Sequence, residues 1–122
     1  MSTNFIWVGI FSVAILTFAF IIFLYCRKHY IPIKQKEFYN DGCLKREYRM
    51  LNGQIHGQDT IYYPTGEINK IQHWSKGKLE GSFVVYFKTG QEYIVGNYSD
   101  GVYKGEYIVN DMNGNVLLRK DY

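Results

Sequence analysis

Glycine recurs through this chain at a single interval. Gly42, Gly66, Gly90 and Gly114 are spaced by a constant step of 24 in the numbering, and the same step separates Gly53, Gly77 and Gly101, and again Gly57, Gly81 and Gly105. Ten of the 12 glycines therefore occupy three columns of one register. Self-similarity at a fixed period is the mark of a repeat architecture, in which one unit cannot bury its apolar surface alone and leans on its neighbours. Other columns keep the same time. Met50, Trp74, Tyr98 and Tyr122 follow one another at this step, and the aromatic pairs Phe38-Tyr39, Tyr62-Tyr63 and Tyr86-Phe87 precede the first glycine of successive units. The fourth unit has Asn110-Asp111 at that place. A degenerate last unit is expected where an array must cap itself against solvent.

Within a unit the residues read as two strands. Gln58 to Tyr63 and Ser82 to Phe87 are short β-branched and aromatic runs that close on Pro64-Thr65-Gly66-Glu67 and Lys88-Thr89-Gly90-Gln91. Glycine at such a place supplies the positive φ of a tight turn. Second runs, Ile68 to Trp74 and Glu92 to Tyr98, end in further turns at Ser75-Lys76-Gly77-Lys78 and Ser99-Asp100-Gly101-Val102. Two short strands and two turns account for the whole period, with no helix required. A content of 12 Tyr, 8 Phe and 2 Trp suits strands better than a helical bundle.

Ahead of the array, Phe5 to Tyr25 is an unbroken run without a charge, long enough as a helix to span about 30 Å of hydrocarbon. Trp7 near one end, and Tyr25 and Tyr30 at the other, stand where amphipathic rings meet lipid headgroups. Arg27, Lys28, Lys34 and Lys36 follow with no acidic residue before Glu37, whereas Met1 to Asn4 carry no charged side chain. The positive-inside rule then puts the N-terminus outside and the C-terminal part on the cytoplasmic or matrix-equivalent side. The same basic cluster suits anionic lipid. A cleaved signal peptide would have a basic start, a shorter apolar run and a small-residue cleavage site, and all three are missing. Cys26 follows the bulky Tyr25, against a lipoprotein site, and reads as a free thiol open to palmitoylation in a eukaryote. The chain is expected to divide into a short tail (1–4), a transmembrane helix (5–25), a basic juxtamembrane linker (26–37) and a β-repeat region (38–122). Its fold class is all-β, an elongated hairpin stack preceded by one transmembrane α-helix.

The spaced pattern of aromatic pair, turn glycine, second strand and two further glycines resembles the MORN repeat, in the variant form common in bacterial proteins. Asn52-Gly53-Gln54-Ile55-His56-Gly57, Lys76-Gly77-Lys78-Leu79-Glu80-Gly81 and Asp100-Gly101-Val102-Tyr103-Lys104-Gly105 carry the likeness. Tyr62-Tyr63-Pro64-Thr65-Gly66 and Tyr86-Phe87-Lys88-Thr89-Gly90 add to it, and the whole covers about residues 38 to 122. Glu92 departs from the apolar column of Leu44, Ile68 and Val116, and the strand before Phe38 is missing from the pattern, so the expected array is three units and a remnant. The resemblance implies a β-hairpin stack without catalytic residues, found in eukaryotic scaffolds near membranes and in bacterial proteins some of which are antitoxin-like.

Chemistry finds little footing. His29, His56 and His73 fall in unrelated columns, and Asp59, Glu67, Glu80, Glu92 and Glu106 are spread over turns and strands, so neither a metal set nor a nucleophile with its base emerges. Cys26 and Cys43 make no disulfide framework. The net charge of +3 does not suggest nucleic-acid binding, and no cofactor is expected. Tyr62, Trp74, Tyr86 and Tyr98 either stack as a thin core or form a contact surface. The expected function is that of a non-enzymatic, membrane-anchored interaction or scaffold protein offering its β surface to a protein partner. An antitoxin or immunity-like inhibitor of a cognate toxin, or an accessory subunit of a large membrane complex, are the alternatives.

Overall fold

The computed structural model describes residues 3–122, with side chains from Ile10 onward; the Trp7 side chain named above lies outside the described residues. The chain forms two compact units, one ending at Ile31 and the other spanning Pro32–Tyr122.

The first unit is the helix α1, Thr3–Tyr30. It outruns the uncharged stretch and carries Arg27, Lys28 and His29 in its last turn, where cations meet the negative end of the helix dipole. Pro32 disfavours helical geometry at Ile31, which stops the helix at Tyr30. From Ile10 to Tyr30 the helix is long and apolar enough to cross a membrane, a requirement that a signal sequence near the N-terminus also meets. Its apolar side chains, Phe11, Leu16, Phe18 and Phe20 among them, are exposed.

The second unit is one antiparallel sheet of sequential hairpins. Its strands are β1 Ile33–Phe38, β2 Leu44–Leu51, β3 Gln54–Ile55, β4 Gly57–Tyr62, β5 Ile68–Ser75, β6 Lys78–Leu79, β7 Gly81–Tyr86, β8 Glu92–Ser99, β9 Val102–Tyr103, β10 Glu106–Asn110 and β11 Val116–Asp121. The path runs β1-β2-β4-β5-β7-β8-β10-β11, with the short strands β3, β6 and β9 pairing back on β2, β5 and β8.

Residues 33–37, read above as the end of a linker, are strand instead. They pair with β2 from Ile33 opposite Met50 to Phe38 opposite Leu44. Their alternation is too polar to signal a strand from sequence, but β2 supplies charge partners: Lys34 lies 2.6 Å and Lys36 3.7 Å from Glu47, and Arg46 lies 3.8 Å from Glu37. The first repeat of the sheet thus has both its strands, and the array is four long hairpins rather than three and a remnant.

Those four hairpins close in the same way. In the first, Gly42 N–H donates to the Tyr39 carbonyl at 2.9 Å and Tyr39 N–H to the Cys43 carbonyl at 2.8 Å; Tyr63/Gly66/Glu67, Phe87/Gly90/Gln91 and Asp111/Gly114/Asn115 repeat the arrangement. The fourth turn keeps its shape without the aromatic because the Asp111 carboxylate accepts from the Asn115 side chain and from the N–H groups of Asn115 and Asn113. Those donors, Asn115 foremost, hold Asp111 below the usual carboxylate range. The short turns Asn52-Gly53, Lys76-Gly77 and Asp100-Gly101 have left-handed φ at both residues, for example 49° and 80° at Lys76 and Gly77. This is the type I′ hairpin turn, whose twist matches that of the flanking strands.

Bonds between units explain the period. Gly77 N–H donates to the Ile55 carbonyl and Gly101 N–H to that of Leu79, so the second and third short turns each dock on the preceding repeat. On the other side, the Tyr39 hydroxyl donates to the Tyr62 carbonyl and the Tyr63 hydroxyl to that of Tyr86, both at 2.7 Å. Phe87, the next member of this column, has no hydroxyl to continue the ladder. Tyr63→Phe is expected to destabilise the sheet by about 1 kcal/mol, read as a lower denaturation midpoint in detergent, because one inter-unit hydrogen bond is lost with little change in packing.

Strand alternation gives the sheet two faces. One carries Arg46, Tyr48, Asp59, Lys70, Gln72, Trp74, Phe83, Gly96 and Tyr98. On the other, Thr60, Ile71, Val84, Val95 and Ile108 lie opposite one another across successive strands as a line that is half-buried beyond the buried Thr60. Among the described residues Phe83 is the only buried hydrophobic side chain, joined by buried Asp59, Thr60 and Gln72. A single-layer sheet cannot do more, since solvent reaches both sides.

Candidate interaction face

The Asp59 face is built from two dissimilar halves on equivalent backbone positions. At the first, Asp59 is 0% exposed. Such a carboxylate is tolerable only if every oxygen is paired. Arg46, on β2, grips it with two bonds of 2.9 and 2.8 Å, Gln72 on β5 donates at 2.7 Å and the Trp74 indole N–H at 2.9 Å. No buried side-chain polar atom among the described residues lacks a partner. Burial pushes the Asp59 carboxyl up, but the donors Arg46, Gln72 and Trp74 outweigh it and hold the group below the usual carboxylate range. This network joins three strands and locks the first two long hairpins together.

One unit further along, Phe83 stands where Asp59 stood, Lys70 where Arg46 stood, Gly96 for Gln72 and Tyr98 for Trp74. Phe83 is 3% exposed and its ring lies across Gly96: a Cβ built there would come within 2.7 Å of Phe83 Cε1. The missing side chain at position 96 is the space the ring fills. Lys70 keeps a cation over the site, its Nζ 5.5 Å from the Phe83 ring centroid, and burial draws its ammonium below the usual range while Asp59 works the other way. A carboxylate held by donors in one unit is replaced by a ring packed under a cation in the next.

From Phe83 the aromatics continue towards the end of the array. Phe83 and Tyr98 have centroids 4.9 Å apart, Tyr98 stacks on Tyr103 at 4.6 Å, and Tyr103 on Tyr122 at 5.3 Å, while Tyr107 meets Tyr103 edge-on at 5.4 Å. Burial, aided by the neighbouring Tyr103, pushes the Tyr98 hydroxyl well above its usual range, and burial raises Tyr107 as well. These two phenols therefore stay neutral at ordinary pH. Tyr98 and Tyr107 are half-buried, but Tyr103 and Tyr122 present open surface on rings already fixed by their neighbours.

Of the sequence-derived surface residues, Trp74 and Tyr98 belong to this face and share a column, each lying opposite a glycine, Gly57 and Gly81. Tyr62 and Tyr86 do not join them. Alternation from Asp59 and Phe83, broken by bulges beside Ile68 and Glu92, puts them away from this face, with their carbonyls accepting in the tyrosine ladder. Asp59, Arg46 and Gln72 were not legible as a group, although the column Asp59, Phe83, Tyr107 carried a usable signal: one acid among rings. The basic residues divide as well. Arg27 and Lys28 end α1, while Lys34 and Lys36 share Glu47, whose carboxyl they hold below the usual range.

Among the described residues no group of three or more His, Cys, Asp or Glu side chains is disposed to hold a metal ion. The His73 Nδ1 is engaged with the Ser82 carbonyl at 2.9 Å. The architecture defines a class: an exposed apolar N-terminal helix followed by a periodic antiparallel sheet of sequential hairpins. No protein-family model, curated protein or solved structure matches the chain.

Proposed function

We propose that the chain is a membrane-tethered, non-enzymatic interaction module of MORN type, whose aromatic half, Phe83 to Tyr122, receives a protein partner. The observation that carries this reading is the exposure of Tyr103 and Tyr122 within a stack whose other rings, Phe83, Tyr98 and Tyr107, are buried or half-buried. Tyrosine contributes large contact area at little entropic cost, and rings held in place by their neighbours lose still less freedom on binding. A helical anchor confines the module to two dimensions, so weak contacts suffice. Arg27 and Lys28 favour the cytoplasmic or equivalent side for the sheet by the positive-inside rule, and each adds about 1 kcal/mol of attraction to an anionic leaflet. Lys34 and Lys36 add less, being taken up by Glu47.

The test is site-specific photo-crosslinking in native membranes. A benzophenone side chain at position 103 is expected to give one discrete adduct with a protein other than a second copy of the chain, and the same probe at Ser82 or Asn97, on the opposite face, none. Adducts only from the opposite face, or none from position 103, would remove the reading.

A further inference from the structure

The two outer strands of the sheet are unlike. Both carry lysine, Lys34 and Lys36 on β1 and Lys120 on β11, but only β1 begins beside a proline, Pro32, which blunts an edge against pairing. β11 has no proline, and the apolar side chains along it and just after it are open: Leu117 is 67% exposed, Leu118 49% and Tyr122 52%. Among the described residues β11 has a hydrogen-bonded neighbour, β10, on one side only.

Its pairing phase fixes which backbone groups are free. Gly105 and Tyr122 exchange both their N–H···O bonds, at 2.9 and 3.0 Å. Alternation then turns the N–H and C=O of Lys120 and Leu118 inward to β10, and those of Asp121 and Arg119 outward. These two outward residues carry opposite charges two positions apart, on the same face. A strand of that pattern complements itself when turned end for end.

We propose that β11 is a homodimerisation edge, on which β11 of a second copy pairs antiparallel about a two-fold axis at Lys120. Arg119 then lies opposite the partner's Asp121, and Asp121 opposite the partner's Arg119, each pair exchanging two main-chain hydrogen bonds as well as charge. Leu118 meets the partner's Tyr122 on the Asp59 face, covering two exposed apolar groups. Arg119 already touches Glu106 at 3.0 Å, and its guanidinium has donors for both carboxylates. The two Lys120 side chains meet at the axis, each directed onto its own Tyr122 ring, with Nζ 4.2 Å from the centroid. The second copy is favoured over an unrelated strand because the charge order of β11 matches its own reverse. This pairing covers Tyr122 and leaves Tyr103 open, so it does not depend on the partner proposed for the aromatic face.

Disulfide trapping of the full-length chain in membranes tests it, with Cys26 and Cys43 replaced by Ser. Lys120→Cys puts two thiols at a non-hydrogen-bonded pair about 4.5 Å apart in Cα, within disulfide reach, and is expected to give a reducible dimer on mild oxidation. Leu118→Cys, displaced from the axis, is expected to give little. Adding Asp121→Arg to Lys120→Cys should reduce the dimer about tenfold, equivalent to one decade in affinity. That residue lies opposite Glu106, so the substitution offers a new in-chain ion pair and does not threaten the fold. Combining it with Arg119→Asp exchanges the charges, restores complementarity and should restore the dimer. Absence of the Lys120→Cys dimer, equal trapping at Leu118→Cys, a cross-link to a chain of another size, indifference to Asp121→Arg or failure of the exchange to restore pairing would each overturn the proposal.

Discussion

Asp59→Ala is expected to lower the stability of the sheet by about 3 kcal/mol, measured by chemical denaturation of the full-length protein in detergent. The substitution strands three donors at once. Gln72 is buried and loses its 2.7 Å acceptor, the Trp74 indole loses its own, and Arg46 keeps a charge with only Glu37, at 3.8 Å, to answer it. Arg46 retains 23% exposure, so water repays part of the loss, which sets the figure at the lower end for a broken buried ion pair. In a domain this size such a change raises the unfolded fraction roughly a hundredfold. The same carboxylate contributes to the acid limit, beside Glu47, Glu67 and Asp111, which are also held low. Its folded pKa lies below its ordinary value of 3.8, so its contribution is complete above that ordinary range and disappears as pH falls through the folded value. Asp59→Asn should accordingly flatten the fall in stability below about pH 4 while lowering stability at neutral pH.

Gly96→Ala is expected to cost about 2 to 3 kcal/mol, although glycine-to-alanine changes inside strands ordinarily help. The added methyl would lie 2.7 Å from Phe83 Cε1, 3.0 Å from Phe83 Cζ and 3.4 Å from Tyr107 Cδ2. Neither ring has room to retreat, because Phe83 is held by Tyr98 and Tyr103, and Tyr107 by Tyr103 and Tyr122. Gly96 is not among the residues of positive φ, so the penalty is wholly steric and reversible by making space. Phe83→Leu in the same chain should recover part of it. A double-mutant cycle should give a coupling of at least about 1 kcal/mol, and additive effects would mean that Phe83 does not occupy this site.

The glycine register was enough to place the turns. Gly66 and Gly90 close hairpins as read, and β5 and β8 end at Ser75 and Ser99, where the short turns were expected. The opposition of Phe83 and Val85 to Val84 also follows from alternation. Strand β1 escaped because Lys34, Gln35, Lys36 and Glu37 have no apolar rhythm; their pairing with β2 rests on charges that sequence leaves unassigned until the register is known. The Asp59 site escaped for a related reason. Arg46 and Gln72 each lie 13 residues from Asp59 in opposite directions along the chain and converge only through the pairing of β2, β4 and β5. Gly96 stands outside the three glycine columns, and its purpose appears only once the Phe83 ring lies across it.

A membrane-tethered module requires a lipid-embedded helix followed by an unbroken, periodic sheet. Residue-resolved amide hydrogen exchange of the full-length chain in lipid nanodiscs tests this most directly. Slow exchange is expected across Ile10 to Tyr25 and along β2, β4, β5, β7, β8 and β10, with fast exchange recurring at the exposed turn residues 40–41, 65, 88–89 and 112. Fast exchange throughout 33–122 with no rhythm at the glycine interval, or a helix whose amides exchange as freely in lipid as in water, would contradict it.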